Sequence, residues 1–398
     1  MDIITIKYWV EGTGDISDTS HLSLLSGGAP GAPKLGYDDT LIVDANSNLV
    51  ILDDLWAWGY NSYGQVGQGN TTSPVTSPTQ IGSSTWKQVV TGYEYSMAIM
   101  SDDKLWGWGK NSYGQLGDGT TVQKTSPTQI YSSTWKSVAC GFYHTLGILS
   151  DDTLWTWGLN GNGQIGDGGI TDKTSPTSIG SSTWKQVAGG QYYSMAILSD
   201  DTLWGWGSNG NGQIGDGGVT ERRSPIKIGT STWKFVACGV AHTIAIRGDD
   251  TLWGWGINGN GEIGDGGVTT RLSPVQIGSS TWKTVAAASV HTIAVRGDNT
   301  LWGWGQNYWG EVGDGTTVQR TSPVQIGTSS WKSVTCGFFS SMGIMTDNTL
   351  WGWGRNWAGQ LGDGGTTNRS AGPVHIGSDR WKSVSQSNGS HTLAIGGL

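Results

Sequence analysis

Four histidines occupy one position of a repeating pattern and are the residues best suited to acid–base chemistry. They are His144, His242, His291 and His391. Other copies of the pattern have Tyr95, Tyr193 or Ser340 at this position. A catalytic base is one histidine held against its substrate, whereas a position that accepts tyrosine and serine is typical of packing. We therefore expect these histidines to be structural, and the isolated His21 and His375 give no signal.

Six aspartates recur in the motif Gly-Asp-Gly and are the candidates for binding a cation. They are Asp118, Asp167, Asp216, Asp265, Asp314 and Asp363. Calcium needs several oxygen ligands gathered in one loop, and a single aspartate per loop fits a turn better. The chain also shows no Ser/His/Asp set, no Cys-x-x-Cys pair and no phosphate-binding loop. The sequence thus predicts no catalytic residue, no metal and no cofactor.

A third recurring group could bind anions. Seven lysines follow a repeated tryptophan, at Lys87, Lys136, Lys185, Lys234, Lys283, Lys332 and Lys382. Placed around a ring, they would form a circle of positive charge on a chain whose net charge is −8. Solvated lysines at strand starts are the plainer interpretation, and a ring that binds an anion or an acidic partner is the alternative.

Aromatic residues are concentrated where the copies of the pattern disagree. One set follows a recurring glycine: Tyr93, Tyr95, Phe142, Tyr143, Tyr192, Tyr193, Phe338 and Phe339. A second set lies in the Asn-x-x-Gly loops: Tyr63, Tyr113, Tyr308, Trp309 and Trp357. Exposed aromatics supply contact area with little loss of entropy and so mark binding surfaces. We predict a binding rim, for protein or glycan, with padding of a central channel as the alternative.

The elements that position these residues come from a repeat of about 49 residues. Leu-Trp-x-Trp-Gly occurs seven times, starting at Leu55 and ending with the copy at Leu350, with spacings of 50 and then 49 five times. A second signal, Trp-Lys, also occurs seven times, from Trp86 to Trp381. Such a regular period predicts a propeller or a solenoid.

One unit, residues 135–183, shows four predicted strands. They are Trp135–Ala139, His144–Leu149, Thr153–Trp157 and a fourth near Pro176–Ile179, with a tight turn at Asp151-Asp152 and a loop from Asn160 to Gly169. This indicates an all-β, seven-bladed β-propeller with four-stranded blades over residues 50–398. Because the last copy lacks Leu-Trp-x-Trp-Gly, we expect strands from both ends of the chain to share one blade and close the ring.

The paired tryptophans of each blade lie at positions i and i+2 and should point to one face of the sheet. We expect packing between blades, with light sensing as the alternative, for Trp56, Trp58, Trp106, Trp108, Trp155, Trp157, Trp204, Trp206, Trp253, Trp255, Trp302, Trp304, Trp351 and Trp353.

Composition supports this and excludes several classes. Glycine supplies 66 of the 398 residues, as a chain rich in turns requires. The acidic net charge and the lack of a basic run argue against nucleic-acid binding. No apolar stretch is long enough to span a membrane, and the N-terminus does not resemble a secretory signal. Cys140, Cys238 and Cys336 share one position and are expected to be small buried residues.

The repeat resembles the regulator-of-chromosome-condensation family over about 340 residues. The matching residues run Trp157-Gly158-Leu159-Asn160 and then Gly163-Gln164-Ile165-Gly166-Asp167-Gly168, after a Gly-x-x-His-Thr step. The resemblance implies the seven-bladed fold and a protein-binding habit, and bacterial relatives include secreted propellers that inhibit β-lactamases. It does not imply nucleotide exchange, because the period leaves no room for an inserted wedge and the N-terminal extension holds only Lys7 and Lys34.

The first 49 residues lie outside the repeat. Their stretch from Ser17 to Ser47 resembles a segment of bacteriophage structural proteins, although Lys34-Leu35-Gly36 departs from that pattern. Strands are predicted at Thr40–Val43 and Leu49–Leu52, and the segment is interpreted as a docking arm.

Two functions follow as hypotheses. In the first, the chain is a virion component such as a tail fibre, spike or capsid-associated protein. It would be assembled in the host cytoplasm, anchored to other virion proteins through residues 1–49 and directed at a host-surface protein or glycan. In the second, it is a soluble cytoplasmic propeller that binds one protein as an inhibitor or scaffold.

Overall fold

The computed structural model describes residues 53–386 and 389–397, together with three short strands near the N-terminus. The chain divides into two compact units, Met1–Ile51 and Leu52–Leu398. The first contains an antiparallel sheet of β1 (Ile4–Ile6), β2 (Leu41–Val43) and β3 (Leu49–Val50), in that order. Strands thus occur at both places where the sequence predicts them in this segment.

The second unit is built entirely of strands and turns in its described residues. Its first eleven strands are β4 (Asp54–Gly59), β5 (Val75–Thr91), β6 (Tyr95–Met100), β7 (Lys104–Gly109), β8 (Lys124–Cys140), β9 (His144–Leu149), β10 (Thr153–Gly158), β11 (Lys173–Gly189), β12 (Tyr193–Leu198), β13 (Thr202–Gly207) and β14 (Arg222–Cys238). The others are β15 (His242–Arg247), β16 (Thr251–Gly256), β17 (Arg271–Ala287), β18 (His291–Arg296), β19 (Leu301–Gly305), β20 (Arg320–Gln325), β21 (Trp331–Cys336), β22 (Ser340–Met345), β23 (Leu350–Gly354), β24 (Arg369–Ile376), β25 (Arg380–Ser385) and β26 (His391–Gly397). None of the described residues forms a helix, and so none forms a helix able to cross a membrane.

Strand pairing groups these strands into seven four-stranded antiparallel sheets among the described residues. Sheet I comprises β5 to β8, sheet II β8 to β11, sheet III β11 to β14, sheet IV β14 to β17, sheet V β17 to β20 and sheet VI β21 to β24. Each 17-residue strand serves two sheets, because its first half ends one sheet and its second half begins the next.

Sheet VII combines the two ends of the repeat. β26 pairs with β4, with His391 opposite Gly59, and β25 and β5 complete the four strands. The all-β propeller fold predicted from the repeat is confirmed.

The turn between the second and third strand of six sheets has a residue in the left-handed region. In sheet II this residue is Asp152, with φ 68°, and in sheet V it is Asn299, also with φ 68°. Asp and Asn tolerate this conformation better than most side chains because they can hydrogen-bond locally. The amide of Thr153 donates to Asp151 Oδ1 at 3.0 Å, so the sequence Asp-Asp-Thr stabilises the tight turn locally.

Tryptophans fill the space between neighbouring sheets. The second tryptophan of each pair is fully buried, as Trp157 shows, and packs edge-to-face on Trp135 with centroids 5.5 Å apart. The first of each pair is half-buried and packs on the same cluster, as Trp155 does. Both tryptophans therefore lie on one face, and their role is packing. Cys140, Cys238 and Cys336 are buried in these clusters as free thiols.

One glycine position is required by this packing. Trp157 Nε1 donates to Gln115 O in the preceding sheet at 2.9 Å. A Cβ on Gly117 would lie 2.6 Å from that nitrogen, and the φ of Gly117 is +83°. The same arrangement joins Trp58 to Gln360 at 2.9 Å, between sheets VII and VI. The motif Gly-Gln-x-Gly thus forms the socket that receives the next sheet's tryptophan.

Candidate binding face

The recurring histidines link neighbouring sheets. His144 Nε2 lies 3.0 Å from Ser194 Oγ, and that hydroxyl in turn donates to Gln164 O at 2.9 Å. Because the hydroxyl has only one proton, the imidazole donates from Nε2 and leaves Nδ1 as a bare, buried acceptor without a partner. His242 with Thr292, His291 with Ser341 and His391 with Ser96 repeat the arrangement.

Burial lowers the pKa of all four imidazoles to about 3. The imidazoles are therefore neutral at physiological pH and have no accessible site for a substrate proton, which agrees with the structural role expected for them.

Two tyrosines that the sequence predicts for the exposed rim are buried between sheets, as the histidines are. Tyr95 and Tyr193 are fully buried, and the hydroxyl of Tyr95 donates to His144 O at 2.5 Å. Tyr193 makes the equivalent bond to His242 O at 2.5 Å. The prediction that these two residues form part of a binding rim is wrong, because the alternation along the strand turns them into the space between sheets.

The recurring lysines do not form the ring of free positive charge that was one of the two interpretations of the sequence. Lys136 Nζ is 2.5 Å from Asp152 Oδ1, and Lys87, Lys185, Lys234 and Lys382 pair with Asp103, Asp201, Asp250 and Asp53. Lys283 and Lys332 donate to Asn299 and Asn348 instead. The seven lysines therefore do not form an uncompensated positive ring, since five are neutralised by the carboxylate of the adjacent turn.

The Gly-Asp-Gly aspartates hold their own loops together. Asp216 Oδ1 accepts from Asn209 Nδ2 at 2.9 Å, and Asp216 Oδ2 pairs with Arg222 at 2.5 Å. The arrangement recurs with Lys124, Lys173, Arg271, Arg320 and Arg369 as the cations. Partial burial alone would raise the pKa of Asp216, but its hydrogen bonds together outweigh burial and lower the pKa. Among the described residues, no three His, Cys, Asp or Glu side chains gather in a group that could hold a metal.

Eleven other aromatic residues, joined by ring contacts and by two cations, form one connected group, which we call the aromatic crescent. Its members are Tyr60, Tyr63, Tyr93, Tyr113, Phe142, Tyr143, Tyr308, Trp309, Phe338, Phe339 and Trp357. They come from two kinds of loop, those between the first and second strand and those between the third and fourth. The crescent draws on sheets V, VI, VII, I and II.

The centre of the crescent is a packed group. Tyr93 stacks on Phe142 with centroids 5.1 Å apart and an interplanar angle of 18°, and both rings contact Phe338, at 6.3 and 6.4 Å. Phe142 is only 4% exposed, so its role is padding. Tyr192 reaches Phe142 at 6.5 Å and lies at the margin of the group.

Several rings of the crescent are open to solvent. Tyr308 is 70% exposed, Trp357 50% and Tyr113 36%. Tyr308 packs on Trp309 at 5.2 Å, and Trp357 packs on Tyr60 at 6.0 Å. Exposed aromatic side chains in contact with one another have the character of an interface core.

Two cations lie within the crescent. Lys110 pairs with Glu94 at 2.5 Å and lies 4.6 Å from the ring centroid of Tyr63. The guanidinium carbon of Arg355 lies 5.3 Å from the ring centroids of Trp309, Phe339 and Trp357. Sequence reasoning missed both cations and Tyr60. The available signal was the variable position after Trp-x-Trp-Gly, which they share.

The crescent breaks the symmetry of the repeat. The corresponding loops of sheets II, III and IV read Asn160-Gly161-Asn162, Asn209-Gly210-Asn211 and Asn258-Gly259-Asn260. Where the fold requires only a turn, Asn and Gly are sufficient. The tyrosines and tryptophans of the other loops are thus not required by the fold.

Beneath one end of the crescent lies a buried carboxylate. Glu311 is fully buried and accepts from the Trp309 amide at 2.6 Å and from Gln306 Nε2 at 3.2 Å. Five sheets have glutamine at this position, as at Gln115, which accepts from the Tyr113 amide at 2.9 Å. Burial raises the pKa of Glu311 to about 7.

Sequence profiles of one known protein family match the repeat. The profile of the regulator of chromosome condensation (RCC1) repeat matches residues 53–99, 102–148, 151–197, 200–246 and 298–344, together more than half of the chain. A second profile of the same repeat matches residues 86–115, 135–164, 184–213, 233–262 and 331–360.

The chain belongs to the RCC1 repeat family.

Solved structures of similar fold have low sequence identity to the chain. Human WBSCR16 is 19% identical with a TM-score of 0.79, over 86% of this chain and 98% of that one. Prp20p of Saccharomyces cerevisiae, studied for binding to Gsp1p and histones, is 19% identical with a TM-score of 0.79, over 86% and 91%. Yeast Prp20 bound to Kap60 is 18% identical with a TM-score of 0.78, over 87% and 89%. No curated protein sequence matches the chain significantly.

Proposed function

We propose that this RCC1-type propeller is a non-catalytic protein-binding module that holds its partner on the aromatic crescent. The observation that carries the proposal is the asymmetry of the crescent, since Tyr308 and Trp357 are exposed in loops that other sheets build from Asn and Gly. Tyrosine, tryptophan and arginine are the residues that contribute most to binding energy at protein interfaces.

The comparisons support a binding function in general terms. Prp20p is described with Gsp1p and histones, and with Kap60, as partners. A propeller of this type therefore serves as a platform for other proteins. An identity of 18–19% carries the fold and not the ligand, so the partner of this chain has to be identified by experiment.

The test requires a purified partner from the native source and a matched control. Trp357→Ala and Tyr143→Ala should each weaken binding at least 10-fold, as removal of an interface aromatic costs about 2 kcal/mol. Tyr131→Ala is the control, because Tyr131 is also exposed but lies on the outer strand β8, outside the crescent. Equal affinity of all three variants and the wild-type protein in calorimetry would rule out the crescent as the binding face.

A virion role is the second candidate, and it depends on the resemblance of the N-terminal segment alone. Most of residues 1–49 lie outside the described residues, and WBSCR16 and Prp20p, the similar structures named above, are not described as virion proteins. Deletion of residues 1–49 tests it: loss of incorporation into particles, with the propeller still folded, would support a docking arm. Normal incorporation of the shortened chain would show that residues 1–49 are not a docking arm and would contradict the virion role.

A further inference from the structure

Arg355 gives the crescent a preference for one chemical class of partner. We propose that its guanidinium receives a carboxylate, so that the crescent binds a peptide segment in which Asp or Glu stands beside a large apolar side chain. This inference rests on the proposed protein-binding function and specifies its partner.

The first observation is that Arg355 has no carboxylate partner among the described residues. The arginines of the Gly-Asp-Gly loops each pair with an aspartate, as Arg369 does with Asp363. Lys110, the other cation of the crescent, pairs with Glu94. Glu311, the buried carboxylate of the neighbouring loop, accepts from Trp309 and Gln306 instead. Within the described part of the chain, the charge of Arg355 is therefore not compensated by a carboxylate on this face.

The second observation is the way in which Arg355 is held. Three rings, Trp309, Phe339 and Trp357, each lie 5.3 Å from its guanidinium carbon. The side chain is half-buried, and the rings replace part of its water. A guanidinium held in this way loses little further entropy or hydration when it forms two parallel hydrogen bonds to a carboxylate.

The surroundings of Arg355 supply the apolar part of the recognition. Trp357 is 50% exposed and contacts Tyr60, while Trp309 contacts the exposed Tyr308. A residue next to the bound carboxylate would therefore meet aromatic surface on either side. The net charge of the chain is −8, so most of its surface repels an acidic segment. The positive charge of Arg355 attracts such a segment, which would direct it to the crescent.

Ring geometry favours a peptide over a glycan. Sugars stack on flat exposed ring faces, but each exposed ring of the crescent meets its neighbour at an angle, 74° for Tyr308 with Trp309, 38° for Trp357 with Tyr60 and 54° for Tyr113 with Tyr143. The one parallel pair, Tyr93 with Phe142, includes a ring that is 4% exposed. Angled rings form clefts that suit the irregular side chains of a peptide.

The experiment uses the full chain and a library of random 12-residue peptides displayed on yeast. We expect enriched peptides to carry Asp or Glu beside an aromatic or aliphatic residue. Replacing that acid with its amide, or Arg355→Met in the protein, should each weaken binding 10- to 100-fold, the usual range for a charge-assisted pair. The two changes together should cost no more than either alone.

The controls separate this inference from the proposed function. Arg223→Met removes the same charge from an exposed arginine paired with Glu221, outside the crescent, and should leave affinity unchanged. Thermal denaturation of Arg355→Met confirms that the variant folds. Peptides that need Trp357 but tolerate Arg355→Met and carry no acid would overturn the carboxylate site while leaving protein binding intact.

Two other results would contradict the inference more broadly. If no enriched peptide depends on Trp357, Tyr143 or Arg355, both the carboxylate site and the protein-binding crescent fail. If peptides fail but a sialylated glycan array is bound in a manner that Arg355→Met abolishes, the acidic ligand is a sugar and the peptide assignment is wrong.

Discussion

His144 Nε2 is hydrogen-bonded to Ser194 Oγ across the boundary between sheets II and III. The partner changes in sheet I, where the hydroxyl of Tyr95 reaches His144 O directly. One repeat position thus links six of the sheets to the next by a histidine or a tyrosine, and in sheet VI it is Ser340, whose hydroxyl donates to Gln386 Oε1 at 3.1 Å. A histidine at this position can be protonated when the pH is lowered, whereas a tyrosine cannot. The links made by histidine and those made by tyrosine therefore respond differently to acid.

The buried imidazoles predict that stability falls in acid. Their pKa is about 3 in the folded protein and about 6.5 when unfolded. The unfolded chain therefore binds protons first as pH falls below 6.5, and the stability present above this value is lost progressively toward pH 3. We expect the melting temperature to decrease steadily from pH 7 to pH 4. A melting temperature unchanged over this range would contradict the assignment.

A single variant isolates the histidine contribution. His242 contacts the hydroxyl of Thr292 in the next sheet. His242→Tyr would give the tyrosine–threonine contact that Tyr193 already makes with Thr243 at 3.0 Å. The variant should fold and should lose about a quarter of the acid sensitivity contributed by the four imidazoles, as measured by the slope of the melting temperature against pH. An unaltered slope would show that other groups cause the acid effect.

Glu311 predicts an opposite effect at higher pH. Its pKa is raised to about 7, so the folded protein holds its proton up to a higher pH than the unfolded chain does. The stability associated with the protonated form is therefore lost as pH rises through 7. Glu311→Gln should stabilise the protein by on the order of 2 kcal/mol at pH 8.5 and by little at pH 5. Denaturant titration at both values tests this, and an equal effect at both would contradict it.

The tryptophan socket predicts that one methyl group added at Gly117 strongly lowers the free energy of unfolding. Gly117→Ala would place Cβ 2.6 Å from Trp157 Nε1 at a φ of +83°. We expect a loss of about 3 kcal/mol in the free energy of unfolding, from strain and from the displaced indole. Gly180→Ala is the control, because Gly180 has a φ of +66° and nothing within 4 Å of the added carbon, and it should cost about 1 kcal/mol. Equal losses would show that the socket is not tight.

The exposed aromatics should be dispensable for folding. Tyr308→Ala and Trp357→Ala remove side chains that are 70% and 50% exposed, so we expect each to change the free energy of unfolding by less than about 1 kcal/mol. Phe142→Ala, which empties a buried site, should cost about 3 kcal/mol. Chemical denaturation of the three variants distinguishes rings that pad the propeller from rings that are free to bind. A large loss for Trp357→Ala would assign it to padding.

The fold could be predicted from sequence because its determinants are local and repeated. Leu-Trp-x-Trp-Gly indicates the alternation of the strand in all seven units, and Asp-Asp or Asp-Asn indicates the turn in six of them. The length of the strands was not predictable: strand pairing continues from Lys173 to Gly189, so one strand belongs to two sheets. That continuity depends on the angle between neighbouring sheets, which no single repeat encodes.

The site could be predicted only in outline. The variability of the loops marked Trp309, Trp357 and Tyr143, but the same variability also marked Tyr95, which the structure buries. Whether an aromatic next to a glycine points outward or between sheets depends on its strand register. The ion pairs of the lysines could not be predicted for a related reason, because Lys136 meets Asp152 only through the pairing of β8 with β9.

The most direct test of the account is a photo-cross-linking experiment in the native source. A benzophenone amino acid is placed at position 357, on the crescent, or at position 131, on the outer strand. We predict that the protein substituted at position 357 cross-links to one protein partner in high yield and that the protein substituted at position 131 does not. Cross-linking at position 131 alone, or at neither position while the partner still binds, would contradict the claim that the aromatic crescent is the binding face.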